Sequence, residues 1–305
     1  MAAPATVGSP ADGMAEELFE LELLGGPVET RYRRVRPEIE AMPWGTLDVS
    51  RHPPALVAAA RDSWTRAAFQ EHRTGIAMAL TLKALMEARA PLDLIALATR
   101  FPLDELVHVE LCSRMAMELG GAVPIVHDPD RLVARPLEGV DPLLRCGDLI
   151  VRFFCVGEAL SIPMLRGTMR ASEHPLPRAV LGRIVRDEAA HGAFGWMFLD
   201  WALPHYAAHD LEVLARAADQ TIDRVKDNWE AIRKRPKGPK SAVHSLGWME
   251  TDAYLELAER SLERNVLRPL RARGLPVRST AGAPAGVAGE APSAGAVGYD
   301  SSGSS

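Results

Sequence analysis

Asp104-Glu105-Leu106-Val107-His108 and Asp187-Glu188-Ala189-Ala190-His191 spell one pattern twice. In each copy the Glu and the His are three residues apart. On an α-helix they share a face, about one turn apart, and can reach one cation together. The Asp before each Glu points to another side, where it can accept a hydrogen bond from the outer ring nitrogen of a ligating His and so fix its tautomer. A single Glu-x-x-His is weak in a chain with nine histidines, because short motifs arise by chance. Two copies of the longer pattern, both inside apolar helical stretches, favour a metal site.

Around these segments the chain reads almost wholly as helix. A first helix is expected over residues 54–90, ending before Pro91. A second covers 92–119, stopped by Gly120-Gly121, with Pro102 kinking it or delaying its start. Asp141-Pro142 supplies an N-cap and first turn for a third, running to about residue 172. A fourth spans 176–203 and is closed by Pro204, and two more, near 208–234 and 249–272, flank a basic loop, RKRPKGPK. Residues 20–53, with Gly25-Gly26 and several prolines, suggest an irregular arm or short helix on the main body.

A dinuclear site between four helices needs one further Glu from each of the other two helices, at the same depth. Glu71 and Glu105 are equidistant from Ala88, just before the Ala90-Pro91 break, and Glu158 and Glu188 are equidistant from Glu173, beside His174-Pro175. In an antiparallel helical hairpin, residues equidistant from the turn lie at equal height. Both bare glutamates therefore arrive level with their Glu-x-x-His partners, about 20–25 Å from the turn at 1.5 Å per residue. Glu158 lies in the apolar run Phe153-Phe154-Cys155-Val156-Gly157-Glu158-Ala159-Leu160, where an unpaired carboxylate is costly. The competing readings are a Glu158 paired with Arg152 and a Glu71 turned to solvent among Gln70, His72 and Arg73. Four carboxylates and two imidazoles suit iron or manganese better than structural zinc, which favours thiolates. The other histidines, His52, His72, His127, His174, His205, His209 and His244, have no partner at ligand spacing.

Composition narrows the class. Apolar residues make up 47%, charged residues 25% and aromatics 6%, with a net charge of −5, so nothing points to nucleic acid or an anionic membrane as partner. Cys112, Cys146 and Cys155 form no CxxC pair, and an odd number argues against a disulfide framework, so a cytoplasmic protein is expected. The N-terminus lacks the basic and apolar regions of a signal peptide, and the most apolar stretch, 149–165, is interrupted by Arg152, Glu158 and Pro163. Residues 1–20 read as a flexible segment, 21–273 as one helical domain with its core at about 54–203, and 274–305 as a disordered tail.

Glu71, Glu105-x-x-His108, Glu158 and Glu188-x-x-His191 together resemble the di-iron carboxylate branch of the ferritin-like superfamily. The likeness covers about residues 54–203. That superfamily includes bacterial multicomponent monooxygenases, acyl-carrier-protein desaturases, ribonucleotide reductase small subunits, rubrerythrins, ferritins and arylamine N-oxygenases. The resemblance implies an all-α, ferritin-like four-helix bundle with additional C-terminal helices. It also implies two iron ions, with a mixed manganese–iron pair compatible, and an oxidoreductase that activates dioxygen to oxidise or oxygenate a small organic substrate. Glu71, Glu105 and His108 would hold one ion, and Glu158, Glu188 and His191 the other, with Asp104 and Asp187 supporting the histidines.

Departures narrow the choice. Cys112 stands where the radical-generating reductase subunits carry a Tyr, and is similar to the soluble methane monooxygenase hydroxylase. Ile162 replaces that hydroxylase's Thr, and Ile184 replaces the additional His of the arylamine N-oxygenases. Small residues near the ligands (Ala67, Ala68, Gly75, Gly157 and Ala189) leave room for a substrate cavity, which Cys112 and Phe194 are expected to line. With no Gly-rich nucleotide motif and no cysteine cluster, electrons would come from a separate donor, a ferredoxin or flavoprotein, or from the substrate. A homodimer is compatible with this reading. The alternatives are a ferroxidase or iron-handling protein of the same fold, and a metal-free helical scaffold that binds a partner.

Overall fold

Proline and turn geometry set most helix ends in the computed structural model, which describes residues 17–234 and 242–278. Among these residues the fold is all-α apart from one two-stranded ribbon. A short helix, α1 (Gly26–Arg34), precedes the long α2 (Pro54–Glu87), which opens on Pro54 in its first turn, where a missing N–H costs nothing. α2 ends at Ala88, and Arg89 takes a left-handed φ of 53° before Pro91.

The second expected helix is two: α3 (Leu92–Ala98) and α4 (Phe101–Glu118), parted at Thr99-Arg100. Pro102 has no N–H to give the Ala98 carbonyl and its ring would clash there, so the chain restarts with Pro102 in the first turn of α4.

α5 (Pro142–Ile150) is capped by the Asp141 carboxylate, which accepts from the Leu143 N–H at 2.8 Å. The helix then widens into π-type turns over Val151–Glu158 and continues as α6 (Ala159–Ala171). α7 (Pro175–Ala202) follows, ending just before Pro204. α8 (Ala208–Arg233) comes next, then α9 (Thr251–Ser261), a second π-type stretch Leu262–Leu267, and α10 (Arg268–Ala272).

α2 packs along α4 and against α5, α6 packs along α7 and α9, α4 meets α7, and α8 covers α5 and the Val151–Glu158 turns. Two apolar clusters fill the interior. On α2 one cluster stops at Ala68 and the other begins at Ala77. On α4 the division falls between Phe101 and Val107, and on α7 between Ile184 and Phe194. Those three gaps hold Glu71, then Glu105, with His108 directly beyond Val107, then Glu188 and His191. The candidate residues therefore form a polar layer between two hydrophobic masses.

The arm at 20–53 lies on this body: Ile39 and Arg36 are fully buried, and Arg36 pairs with Glu110 at 2.7 Å. Two expected boundaries need correction. The segment expected to be flexible up to residue 20 already carries β1 (Glu17–Leu18), paired antiparallel with β2 (Val126–His127), because Phe19 packs on Phe69 and its N–H reaches the Ile125 carbonyl at 2.8 Å. The tail expected from residue 274 is placed through Arg278. Leu275 and Val277 are buried, and Arg278 pairs with Asp219 at 2.9 Å. The remaining tail, the first sixteen residues and the basic loop beyond Lys234 lie outside the described residues. No helix among the described residues is long and apolar enough to cross a membrane.

Candidate metal centre

The spacing of three in each Glu-x-x-His puts Glu105 with His108 and Glu188 with His191 on the inward faces of α4 and α7, all buried. α2 delivers Glu71, whose side chain is 15% exposed, and the last π-type turn before α6 delivers Glu158, also buried. All six residues named by the spacing come together.

Both histidines turn Nδ1 inward. His108 Nδ1 lies 3.6 Å from Glu71 Oε2, 3.6 Å from Glu105 Oε2 and 3.3 Å from Glu188 Oε1. His191 Nδ1 lies 3.2 Å from Glu105 Oε1 and 3.0 Å from Glu188 Oε2. Glu105 and Glu188 thus each turn one oxygen toward either imidazole. Two sets of donor atoms, each set lying within 4.8 Å, result: Glu71, Glu105, His108 and Glu188, and Glu105, Glu158, Glu188 and His191. Each expected triplet lies whole within one set. Glu105 and Glu188 belong to both sets, because a carboxylate has two oxygens and these two sit centrally between the helices.

Such a cluster suits a cation. Both oxygens of Glu105, Oε2 of Glu188 and Nδ1 of both histidines are buried without a hydrogen-bond partner among the described residues. Orphaned buried acceptors are expensive in a protein without a ligand. These buried Glu and His groups can hold a metal ion, and none of the other histidines joins either set.

The outer nitrogens face aspartates crosswise. His108 Nε2 is 3.2 Å from Asp187 Oδ2, and His191 Nε2 is 3.6 Å from Asp104 Oδ2, so each Asp faces the His of the other helix. Arg100 joins the two, 2.9 Å from Asp104 and 3.3 Å from Asp187, and Arg183 pairs with Asp187 and with Glu38. Neither arginine was anticipated, yet a signal was there. The repeat extends upstream to Arg100-x-x-x-Asp104 and Arg183-x-x-x-Asp187, the spacing at which helical residues pair.

Protonation follows from burial and contact. Burial first, then repulsion from Glu105, pushes the Glu71 carboxyl up to about 8, although its contact with His108 pulls the other way. Burial and the neighbouring Glu188 and Glu105 push Glu158 well above the carboxylate range. Burial also works upward on Glu105 and Glu188, but the two imidazoles outweigh it and hold both low. For His108 and His191, burial works downward, and the surrounding carboxylates outweigh it and hold both well above the ordinary imidazole value.

A cavity of about 60 Å³ opens beside Glu71, Glu158 and Glu188. Cys112, Ala67 and Gly157 line it, as expected. Ala68 is in the core, and Gly75 lets α2 approach α4, where an added Cβ would meet the Glu105 Cβ at 3.4 Å. Two expectations are corrected. Ala189 is exposed, and Phe194 is not among the cavity-lining residues. Phe194 stacks instead with Phe101 and Phe154, at 5.0 and 5.1 Å, and the Phe101 ring lies 4.4 Å from that of His191. No family model and no curated protein matches the chain.

Proposed function

We propose that this chain is a non-haem di-iron oxidoreductase of ferritin-like type, which activates dioxygen to oxidise or oxygenate a small organic molecule. In this reading α2, α4, the continuous helix from α5 through α6, and α7 are the four helices of the bundle. The observation that carries it is the pair of overlapping donor sets with Glu105 and Glu188 in common. Glu71 and His108 would complete the site for one ion, and Glu158 and His191 the site for the other. Hard carboxylate oxygens with imidazole suit iron, or manganese with iron, and no thiol joins either set.

When bound, a ferrous pair supplies electrons to dioxygen. The chain's own residues do the rest. Asp187 fixes the orientation of His108 through its outer nitrogen, Asp104 faces that of His191 at 3.6 Å, and Arg100 and Arg183 hold those carboxylates in place. Trp64, Met164 and Ile184 give the cavity beside Glu71, Glu158 and Glu188 an apolar lining. That cavity supports an organic substrate over ferrous iron alone, because a path for iron needs polar walls. Electrons would come from a separate ferredoxin or flavoprotein, or from the substrate.

The test is anaerobic ferrous loading followed by oxygen. Wild type should hold about two irons per chain, as a paired-carboxylate site requires, and should consume oxygen. Glu188→Ala, which removes a donor common to both sets, should hold close to none. Full iron binding by that variant would overturn the reading.

A further inference from the structure

Beyond the carboxylates, the cavity wall is mainly apolar and aromatic, with Gln70, Thr74, Ser161 and Thr168 as its other polar side chains, and it carries one buried polar atom without a partner among the described residues, on Trp248. Trp64 and Trp248 meet there with ring centroids 4.9 Å apart, and Met164 and Met249 close the wall beside them. The Trp64 indole N–H is spent on the Leu246 carbonyl, at 3.1 Å. The Thr74 and Thr168 hydroxyls donate to the carbonyls of Gln70 and Met164 on their own helices. Trp248 is different. It is 95% buried, and its Nε1 has no hydrogen-bond partner among the described residues. A buried indole donor ordinarily finds an acceptor, and leaving it without one is costly.

No Lys or Arg lines the cavity among the described residues, whereas three acidic residues do. A carboxylate or phosphate would enter without a counter-charge and beside groups of its own sign. Size sets a second limit. On the scale where one water needs about 10–15 Å³, a cavity of about 60 Å³ takes a molecule of one ring or a short chain.

We propose that this cavity binds a small, neutral, largely apolar molecule of about one ring, bearing a single hydrogen-bond acceptor that takes the indole N–H of Trp248. Its role as the substrate rests on the oxidising centre proposed above. Its binding does not, because Trp248 and the apolar wall belong to neither donor set.

The test uses the metal-free full-length chain, with ¹⁵N-labelled tryptophan and three probes of one shape: acetophenone, α-methylstyrene, which lacks the acceptor, and benzoate, which adds a charge. Acetophenone should shift the Trp248 indole signal and bind most tightly. α-Methylstyrene should bind about five- to tenfold more weakly, the worth of one hydrogen bond. Benzoate should bind weakest. Trp248→Phe keeps a ring but removes the donor, and should erase the preference for acetophenone over α-methylstyrene. Should that variant fail to fold, the indole shift in the wild-type chain decides the matter. Equal binding of acetophenone and α-methylstyrene, an unmoved Trp248 signal, or tightest binding of benzoate would overturn the proposal. Iron stoichiometry on the same preparation separates the two failures. Two irons with no acetophenone binding sinks only this inference, and acetophenone binding with no iron sinks only the di-iron reading.

Discussion

At the level of single side chains, the charge of the centre depends on which buried groups keep their protons. His108 and His191 are held protonated by the carboxylates around them, and Glu71 and Glu158 are held protonated by burial. Divalent ions need all four deprotonated. Loading two ions near neutral pH should therefore release protons, since ligands give up protons on binding. The sign follows: affinity rises with pH, through the region near 8 where Glu71 loses its own proton. Metal addition to a weakly buffered sample, read with an indicator dye, measures the release, and a count near zero would contradict this protonation pattern. The crosswise pairing makes its own forecast. Asp187→Asn leaves His108 Nε2 without its carboxylate at 3.2 Å. It should weaken metal affinity about 10–100-fold, the usual cost of losing such support. Anaerobic titration with ferrous or manganous ion reads this, and unchanged affinity would mean that Asp187 does not support the ligand.

Helix against helix, one close approach lies beside the centre. Gly195 of α7 faces the π-type turns, where an added Cβ would fall 2.7 Å from the Phe154 Cβ and 3.2 Å from the Cys155 backbone nitrogen. Gly195→Ala should cost about 1–3 kcal/mol by overpacking. Gly75→Ala meets only the Glu105 Cβ at 3.4 Å and should change stability by less than about 1 kcal/mol, because Ala suits helices better than Gly. Denaturant unfolding of both variants checks the order, and equal losses would mean that these contacts do not limit packing. The same elements show what was legible beforehand. Helix ends could be read at Pro54, Pro91, Pro142 and Pro175 because proline acts locally. The six donors could be read because a spacing of three and turns at the two midpoints follow from helix geometry alone. The π-type turns left no mark, since an i→i+5 bond can form over many sequences. Phe194 misled for a definite reason. α4 and α7 are antiparallel, as the crossed Asp104–His191 and His108–Asp187 contacts require. One turn beyond His108 is therefore level with Ile184, beside the cavity, whereas one turn beyond His191 leads to the opposite side of the centre. How Glu105 and Glu188 divide their oxygens depends on side-chain rotamers, which spacing does not determine.

For the whole molecule, stability and the metal centre pull against each other, and the conflict can be measured. Glu158 sits among apolar residues, and among the described residues only the Ser161 hydroxyl donates to its carboxyl, at 2.9 Å. Without metal, a buried carboxyl that burial and the neighbouring Glu188 and Glu105 keep from ionising weakens the fold, and replacing such groups by apolar side chains of similar volume is often stabilising by about 1–4 kcal/mol. With metal, the same carboxylate becomes a donor, and a ligand at 100 times its Kd adds about 2.7 kcal/mol. Glu158→Leu should therefore raise the Tm of the metal-free chain and abolish most of the further rise that iron gives wild type. Leu275→Ala serves as the control. It opens a buried contact far along the chain, should cost about 2 kcal/mol or more, and should lower Tm equally with and without metal. Calorimetry on the three chains, each with and without ferrous iron under argon, distinguishes the outcomes. If Glu158→Leu lowers Tm in the metal-free state, the cluster is stabilised by its own hydrogen bonds, and the energetic case for a bound cation fails. If the variant keeps the full rise with iron, Glu158 is not a ligand, and the second donor set must close without it.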